Sequence, residues 1–416
     1  MKKTLLLSIV ASTMIMAGGD IAPVEPAVVT PAPVVESNWK FSGQGVVYYQ
    51  TDDAYVSSRG VTSPQDDSLF SQGASAANAG LQLSATNADL IAGIGFGAEL
   101  TGLGTLGLEN DVVSDVMQTA GNPFPLNAAY FSELYLTYGI ANTSLKVGRQ
   151  ELPKALSPFA YSEDWNVFSN TFDAALLVNT DLPDTVLVGA WVRSLNVNGM
   201  HAQMADFGKA NSAEGVFMLT AQNKSIPDLT LTGSYYFGNE YAAAENLNIL
   251  WADAQYNAGF ANIALQGGAV MCDALVDDTT AFGAMISGKF DIVNAHVAYA
   301  HVNDSDLGMF QVGGSTSALY TDTALDQVSP VGTALRNNMD KFVIAANADV
   351  LGGNLTGAYA YTDGTAIDTT VNEFDLVYAT HITSNLVGVL AYVYADVDNT
   401  PYEGVNLIRA VAKYNF

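Results

Sequence analysis

From Trp39 to Phe416 apolar and polar side chains alternate along the chain with a period of two. That is the spacing of β-strands with one face in an apolar medium and the other in water. Leu229, Leu231, Gly233, Tyr235 and Phe237 fall on one parity, and Thr230, Thr232, Ser234 and Tyr236 on the other. The last strand puts Ile408, Ala410, Ala412, Tyr414 and Phe416 on one face, while Arg409, Val411, Lys413 and Asn415 fall between them. An apolar face that runs up to the terminal carboxylate predicts half of a membrane β-strand.

The strand count turns on residues 90–110. One parity reads Leu90, Ala92, Ile94, Phe96, Ala98, Leu100, Gly102, Gly104, Leu106 and Leu108 without a break. This predicts one long strand, preceded by a tight turn at residues 87–89, rather than a hairpin at Gly102 to Gly104. Gly102, Gly104 and Gly107 also match the GxGxxG pattern, but no helical period follows, so no phosphate site is expected. Period-two segments recur to the C-terminus, with short turns alternating with longer loops. The expected fold is all-β: a transmembrane antiparallel β-barrel of about 18 strands with an inward-folded third loop.

Composition narrows the class. The chain is 49% hydrophobic and 14% charged, and outside the N-terminus no run of about 18 apolar residues could form a spanning helix. A closed barrel is the other structure that satisfies its own backbone in a bilayer. The single cysteine, Cys272, cannot form an internal disulfide. A net charge of −27 excludes nucleic acid as a partner and suits a cation-attracting pore.

Residues 1–17 read as a signal peptide: Lys2 and Lys3, an apolar stretch, then Ala17, Gly18 and Gly19. Residues 18–37 carry Pro23, Pro26, Pro31 and Pro33 and read as a Pro-rich periplasmic linker. Residues 38–416 are the barrel. This order predicts export through the periplasm to the cell outer membrane.

Eighteen strands enclose more space than wall side chains can fill, so water enters unless a loop folds in. The inward parity reads as polar, with Glu133, Lys146, Asp173, Asp253, Gln255, Asn294, His296, Lys341, Asn347, Glu373, Asp375 and Lys413. The third long loop, 151–170, holds Pro153, Pro158, Phe159, Tyr161, Trp165 and Phe168, too apolar for a freely solvated loop. It also carries Glu151, Lys154, Glu163 and Asp164, which are expected to face the pore. Lys146, Arg149, Lys154 and Arg193 are four of the chain's 15 basic residues, within residues 146–193. Opposed charges across a narrow aqueous gap select permeants by charge. Arg149 shares the parity of Leu145 and Val147, so snorkelling to the interface is an equal alternative for it.

The run from Val147 to Pro158 (VGRQELPKALSP), followed by Trp165, Val167, Phe168 and the run from Asn170 to Ala175, resembles the Opr family of outer-membrane porins, related to OprD-like channels. The Pro-rich start, the long third strand and the final Phe416 are similar to that family as well. The resemblance implies eighteen strands, an inward third loop and passive uptake of small solutes. It also implies a series of basic residues guiding carboxylate solutes, a role open to Lys146, Arg149, Lys154 and Arg193. The terminal strand, Ile408 to Phe416, resembles the targeting signal that the barrel assembly machinery reads. Outer-membrane lipid, lipopolysaccharide, small ions and hydrophilic solutes are the expected partners, and a homotrimer is the assembly common among porins.

No catalytic or metal chemistry is expected. His201, His296, His301 and His381 show neither HxxxH nor HExxH spacing, and no cofactor motif stands out. The acidic pairs Asp277 with Asp278, Asp304 with Asp306 and Asp396 with Asp398 read as solvated loop charge rather than calcium ligands. A structural or adhesive surface barrel is the alternative function, and the loop 303–337 suits it as a surface epitope or as a cap over the mouth.

Overall fold

The computed structural model describes residues 39–416 except 54–67, 122–127, 212–213, 243–244, 273, 275–276, 306, 310, 325, 327–336, 365–368 and 399–403. The expected signal peptide, 1–17, and Pro-rich linker, 18–37, therefore lie outside the described residues. Eighteen strands form one antiparallel barrel. They are β1 Lys40–Asp52, β2 Ser75–Ile91, β3 Ile94–Gly104, β4 Ala128–Ile140, β5 Thr143–Gln150 and β6 Phe172–Asn179. Next come β7 Thr185–Leu195, β8 Val216–Asn223, β9 Leu229–Ala242, β10 Glu245–Asn257, β11 Asn262–Cys272 and β12 Thr279–Phe290. The last six are β13 Val293–Val302, β14 Met339–Val350, β15 Gly353–Gly364, β16 Thr369–His381, β17 Leu386–Val397 and β18 Val405–Asn415. The barrel closes where β18 pairs with β1, in register from Gln44 opposite Asn415 to Asp52 opposite Leu407. Gly43 and Phe416 then exchange both backbone hydrogen bonds, at 2.8 and 3.0 Å, so the terminus is tied into the wall.

One expected boundary moves. The turn lies at Ala92 and Gly93, not at 87–89, and β3 ends at Gly104 before a short 3-10 turn, Leu108–Asn110. Ala92 and Gly93 both take positive φ, 51° and 81°, as a two-residue hairpin turn requires. A two-residue turn preserves parity, so Leu90, Ala92 and Ile94 read as one uninterrupted strand. No hairpin forms at Gly102 to Gly104, and the count stays at eighteen.

Outward positions carry a belt of exposed Leu, Ile, Phe and Tyr, including Leu81, Leu136, Leu219, Leu265, Ile344, Leu376 and Leu390. An apolar surface encircling the wall is what a bilayer stabilises and water does not. No helix among the described residues is long and apolar enough to cross a membrane. The described outward residues of β18 are Ile408, Ala410, Ala412 and Tyr414, and the Tyr414 ring stacks with that of Phe416 at 6.0 Å.

The inner face differs from the polar lining expected of it. Val186, Val188, Ala190 and Val192 of β7 face inward and are buried, as are Val387, Val389, Ala391, Val393, Ala395 and Val397 of β17. Polar side chains share that face with apolar arcs because inward loops, and not only water, pack on the wall.

The nine connections on the long-loop side are L1 to L9 in chain order. Four of them build the lumen: L2 (105–127), L3 (151–171), L4 (196–215) and L7 (303–338).

Candidate functional site

L3 leaves the wall at Gln150 and enters the lumen through Leu152 and Pro153, followed by one 3-10 turn, Lys154–Leu156. Its apolar side chains seat it at two places. Phe159 meets the rings of Tyr236 on β9 and Trp251 on β10 edge-on, with centroids 5.7 and 5.4 Å away. The Tyr236 hydroxyl accepts the backbone N–H of Phe159 at 3.1 Å. Further along, Trp165, Val167 and Phe168 pack in the cluster that holds Val46 and Tyr48 of β1. L3 thus crosses the lumen from the β9–β10 wall to the β1 wall.

A buried amide network joins L3 to L2 and L4. Gln118 of L2 donates to the Phe168 carbonyl at 2.7 Å and to Asn198 Oδ1 of L4 at 2.9 Å, and accepts the Phe168 N–H at 2.9 Å. Asn198 donates to the Glu163 carbonyl at 2.9 Å, and Asn166 donates to Asn198 at 3.1 Å. L2 and L4 also pair as a two-residue parallel ladder, Gln118 opposite Ala202 and Thr119 opposite Gln203. Beside it, His201 Nδ1 lies 3.1 Å from Asp115 Oδ1 and 3.0 Å from the Val116 carbonyl. Burial alone would lower the pKa of His201, but Asp115, the Val116 carbonyl and nearby Asp52 outweigh it and raise the value above 6.5.

L7 also folds inward, which the sequence reading left open. Its described part docks on L3 and on the wall. Lys341 of β14 donates to Asp326 at 2.5 Å and to Thr323 Oγ1 at 2.8 Å. Thr323 donates to Glu373 of β16 at 2.6 Å, and the Ala324 N–H meets Asp375 at 3.3 Å. Glu373 and Asp375 are therefore wall residues buried beneath L7.

Of the other expected site residues, Glu133, Lys146 and Glu151 come together on the inner wall. Lys146 Nζ is 3.7 Å from Glu133 Oε1 and 3.8 Å from the centre of the Tyr135 ring, and Glu133 accepts the Glu151 N–H at 3.1 Å. Lys154 reaches Asp322 of L7 at 3.8 Å. Asp164 and Glu151 are the acids whose charge acts on Lys413 of β18. Glu163 is buried and turned toward L7.

Arg149, Asp173 and Arg193 sit elsewhere. Arg149 pairs in register with outward Leu134 and binds Asp173 through two hydrogen bonds, at 2.8 and 3.2 Å. Its guanidinium lies 3.3 Å from the centre of the Phe207 ring. Arg193, next to inward Val192, is exposed. All three belong to the outer face of the wall near the long-loop rim, the alternative the sequence left open for Arg149.

The sequence reading missed Arg409. Its guanidinium lies between the rings of Tyr48 and Trp165, at 5.5 and 5.4 Å, and donates to Gln50 at 3.2 and 3.1 Å. The available signal was parity: Arg409 and Lys413 occupy the same inward face of β18. Among the described residues no group of three or more His, Cys, Asp or Glu side chains could hold a metal ion.

Neither a protein-family model nor a curated protein matches the chain. Solved structures do. OccK3 (OpdO) of Pseudomonas aeruginosa aligns with a TM-score of 0.67 and 16% identity, over 91% of this chain and 96% of that one. OpdK of the same organism, solved with vanillate, aligns with a TM-score of 0.68 and 14% identity, over 91% and 98%. OccK2 (OpdF), in complex with glucuronate, aligns with a TM-score of 0.65 and 14% identity, over 91% and 98%. This chain shares their eighteen-stranded barrel fold.

Proposed function

We propose that the chain is an outer-membrane porin, a water-filled channel for passive diffusion of ions and small hydrophilic solutes. One observation carries the reading: an eighteen-stranded barrel narrowed by L3 and L7, with Glu133, Lys146 and Glu151 on the inner wall beside L3. The solved structures of similar fold that hold vanillate and glucuronate support small carboxylates among the permeants. On this chain the partly exposed cations suited to carboxylates are Lys146 and Lys154. Arg409 and Lys413 are buried on the inner face of β18, and Arg149 and Arg193 on the outer rim meet the lipid headgroup layer instead. Residues 1–17 then act as the export signal, and the strand ending Tyr414 and Phe416 is the element the assembly machinery reads. Lipid and lipopolysaccharide surround the apolar belt, and a homotrimer is the assembly to be sought in detergent. An adhesive barrel would present L7 outward, whereas Thr323 and Ala324 of L7 bind the inner wall.

The test is swelling of proteoliposomes in isosmotic solute. Liposomes carrying the protein should swell in small sugars, amino acids and benzoate-sized carboxylates, and empty ones should not. Equal rates for loaded and empty liposomes, with the barrel folded, would refute the reading.

A further inference from the structure

Glu163 is placed to narrow a pore as a lining charge, yet its carboxylate is buried and receives five donors. Oε1 accepts from Gln311 Nε2 at 2.8 Å, from the Thr316 N–H at 2.7 Å and from the Thr316 hydroxyl. Oε2 accepts from Trp165 Nε1 at 2.7 Å and from the Ser315 N–H at 3.1 Å. Four of the five come from L7, about 150 residues along the chain, and one from L3. Ionised acceptors make the strongest such bonds, and two backbone N–H groups in the set have no other described acceptor. The fit around the carboxylate is tight. A Cβ at Gly314 would sit 2.2 Å from Glu163 Cδ, so only glycine lets L7 close on it. Around this centre, Tyr161 donates to the Ser317 carbonyl at 2.8 Å, while Val312 N–H meets the Phe159 carbonyl at 3.0 Å.

We infer that Glu163 is the clasp that makes L3 and L7 a single plate, and that this clasp, rather than a charge facing the solute, sets the size limit of the channel. L3 is held on the wall by Phe159 at β9 and β10 and by Trp165, Val167 and Phe168 at β1, and L7 is held by Lys341. The contact between the two loops away from those wall contacts centres on Glu163. Loss of the clasp removes the charged centre of the L3–L7 contact and lets the two loops part where they meet, with their wall contacts and the barrel unchanged.

The inference rests on the channel reading and is tested by Glu163→Gln, Gly314→Ala and Thr316→Val in planar bilayers and swelling assays. Glutamine keeps the shape and one acceptor oxygen but must aim an NH2 group at the donors on the other side, so it weakens the clasp without removing the side chain. Expected results are a larger single-channel conductance, more flicker and passage of larger neutral sugars for Glu163→Gln and Gly314→Ala. The shift should be smaller for Thr316→Val, and charge selectivity should stay close to that of the unaltered protein. Heat-modifiable migration on gels reports that the barrel itself is intact, and if Glu163→Gln fails to fold the other two variants carry the test. An unchanged size limit with a shift toward anions in Glu163→Gln would overturn the inference, because that is what a lining charge does. Absence of current from the unaltered protein would instead overturn the channel reading.

Discussion

The Lys341 ammonium of the inner wall and the Asp326 carboxylate of L7 meet at 2.5 Å, both almost fully buried. A barrel wall and a 36-residue connection are thereby joined through an almost fully buried ion pair. Removing one partner of such a pair costs about 3 kcal/mol, because the other charge stays buried. Lys341→Met should loosen L7 without unfolding the barrel. Limited proteolysis within residues 303–338 checks it, with faster cleavage expected in the variant and an unchanged barrel core.

L3 depends on an apolar seat. Phe159→Ala removes the ring held between Tyr236 and Trp251 and should weaken the docking of L3 by about 3–5 kcal/mol, as truncation of a buried aromatic does. Lys154 then becomes accessible to trypsin. Cleavage after Lys154 in folded protein, slow in the unaltered chain and fast in Phe159→Ala, is the expected readout.

Charge along the lumen sets selectivity through a field focused by low-dielectric walls. Lys146 on the inner wall and Lys154 on L3 are partly exposed cations. Neutralising both with glutamine should move the zero-current potential across a potassium chloride gradient toward cations. Glu133→Gln with Glu151→Gln should move it toward anions. Arg149 and Arg193, on the outer face, should leave it almost unchanged when neutralised.

The L2–L4 contact is pH-sensitive. His201 has its pKa raised in the folded protein by Asp115 and the Val116 carbonyl. A raised value means that the protonated imidazole stabilises the contact. That contribution is fully present below about pH 6.5, the unfolded value, and is lost as pH rises through the folded one. Amide exchange at Met204, whose N–H binds the Thr119 carbonyl at 2.7 Å, should accelerate across that window beyond the intrinsic base-catalysed rate. His201→Gln should remove the excess.

Parity made the wall legible. The alternation at Leu229 to Phe237 and at Ile408 to Tyr414 assigns faces directly, because a strand that contacts lipid has no freedom to rotate. The same regularity hid the turn at Ala92 and Gly93. The inward path of L3 was legible from its aromatics, since Phe159, Trp165 and Phe168 need somewhere dry to go. L7 offered no such signal: Thr323 and Asp326 are ordinary loop residues until Lys341 and Glu373 come from other strands to meet them. Glu163 shows the limit most clearly. An acid in a pore loop reads as a lining charge, and only donors from residues 311–316 reveal it as buried.

The central claim is that the lumen, though crossed by L3 and L7, conducts. The direct measurement is the current of the purified, folded protein reconstituted at single-channel level in a planar bilayer bathed in potassium chloride. Discrete, stable steps with an ohmic current–voltage relation are the predicted result. A barrel that inserts, migrates as folded and passes no current would contradict it.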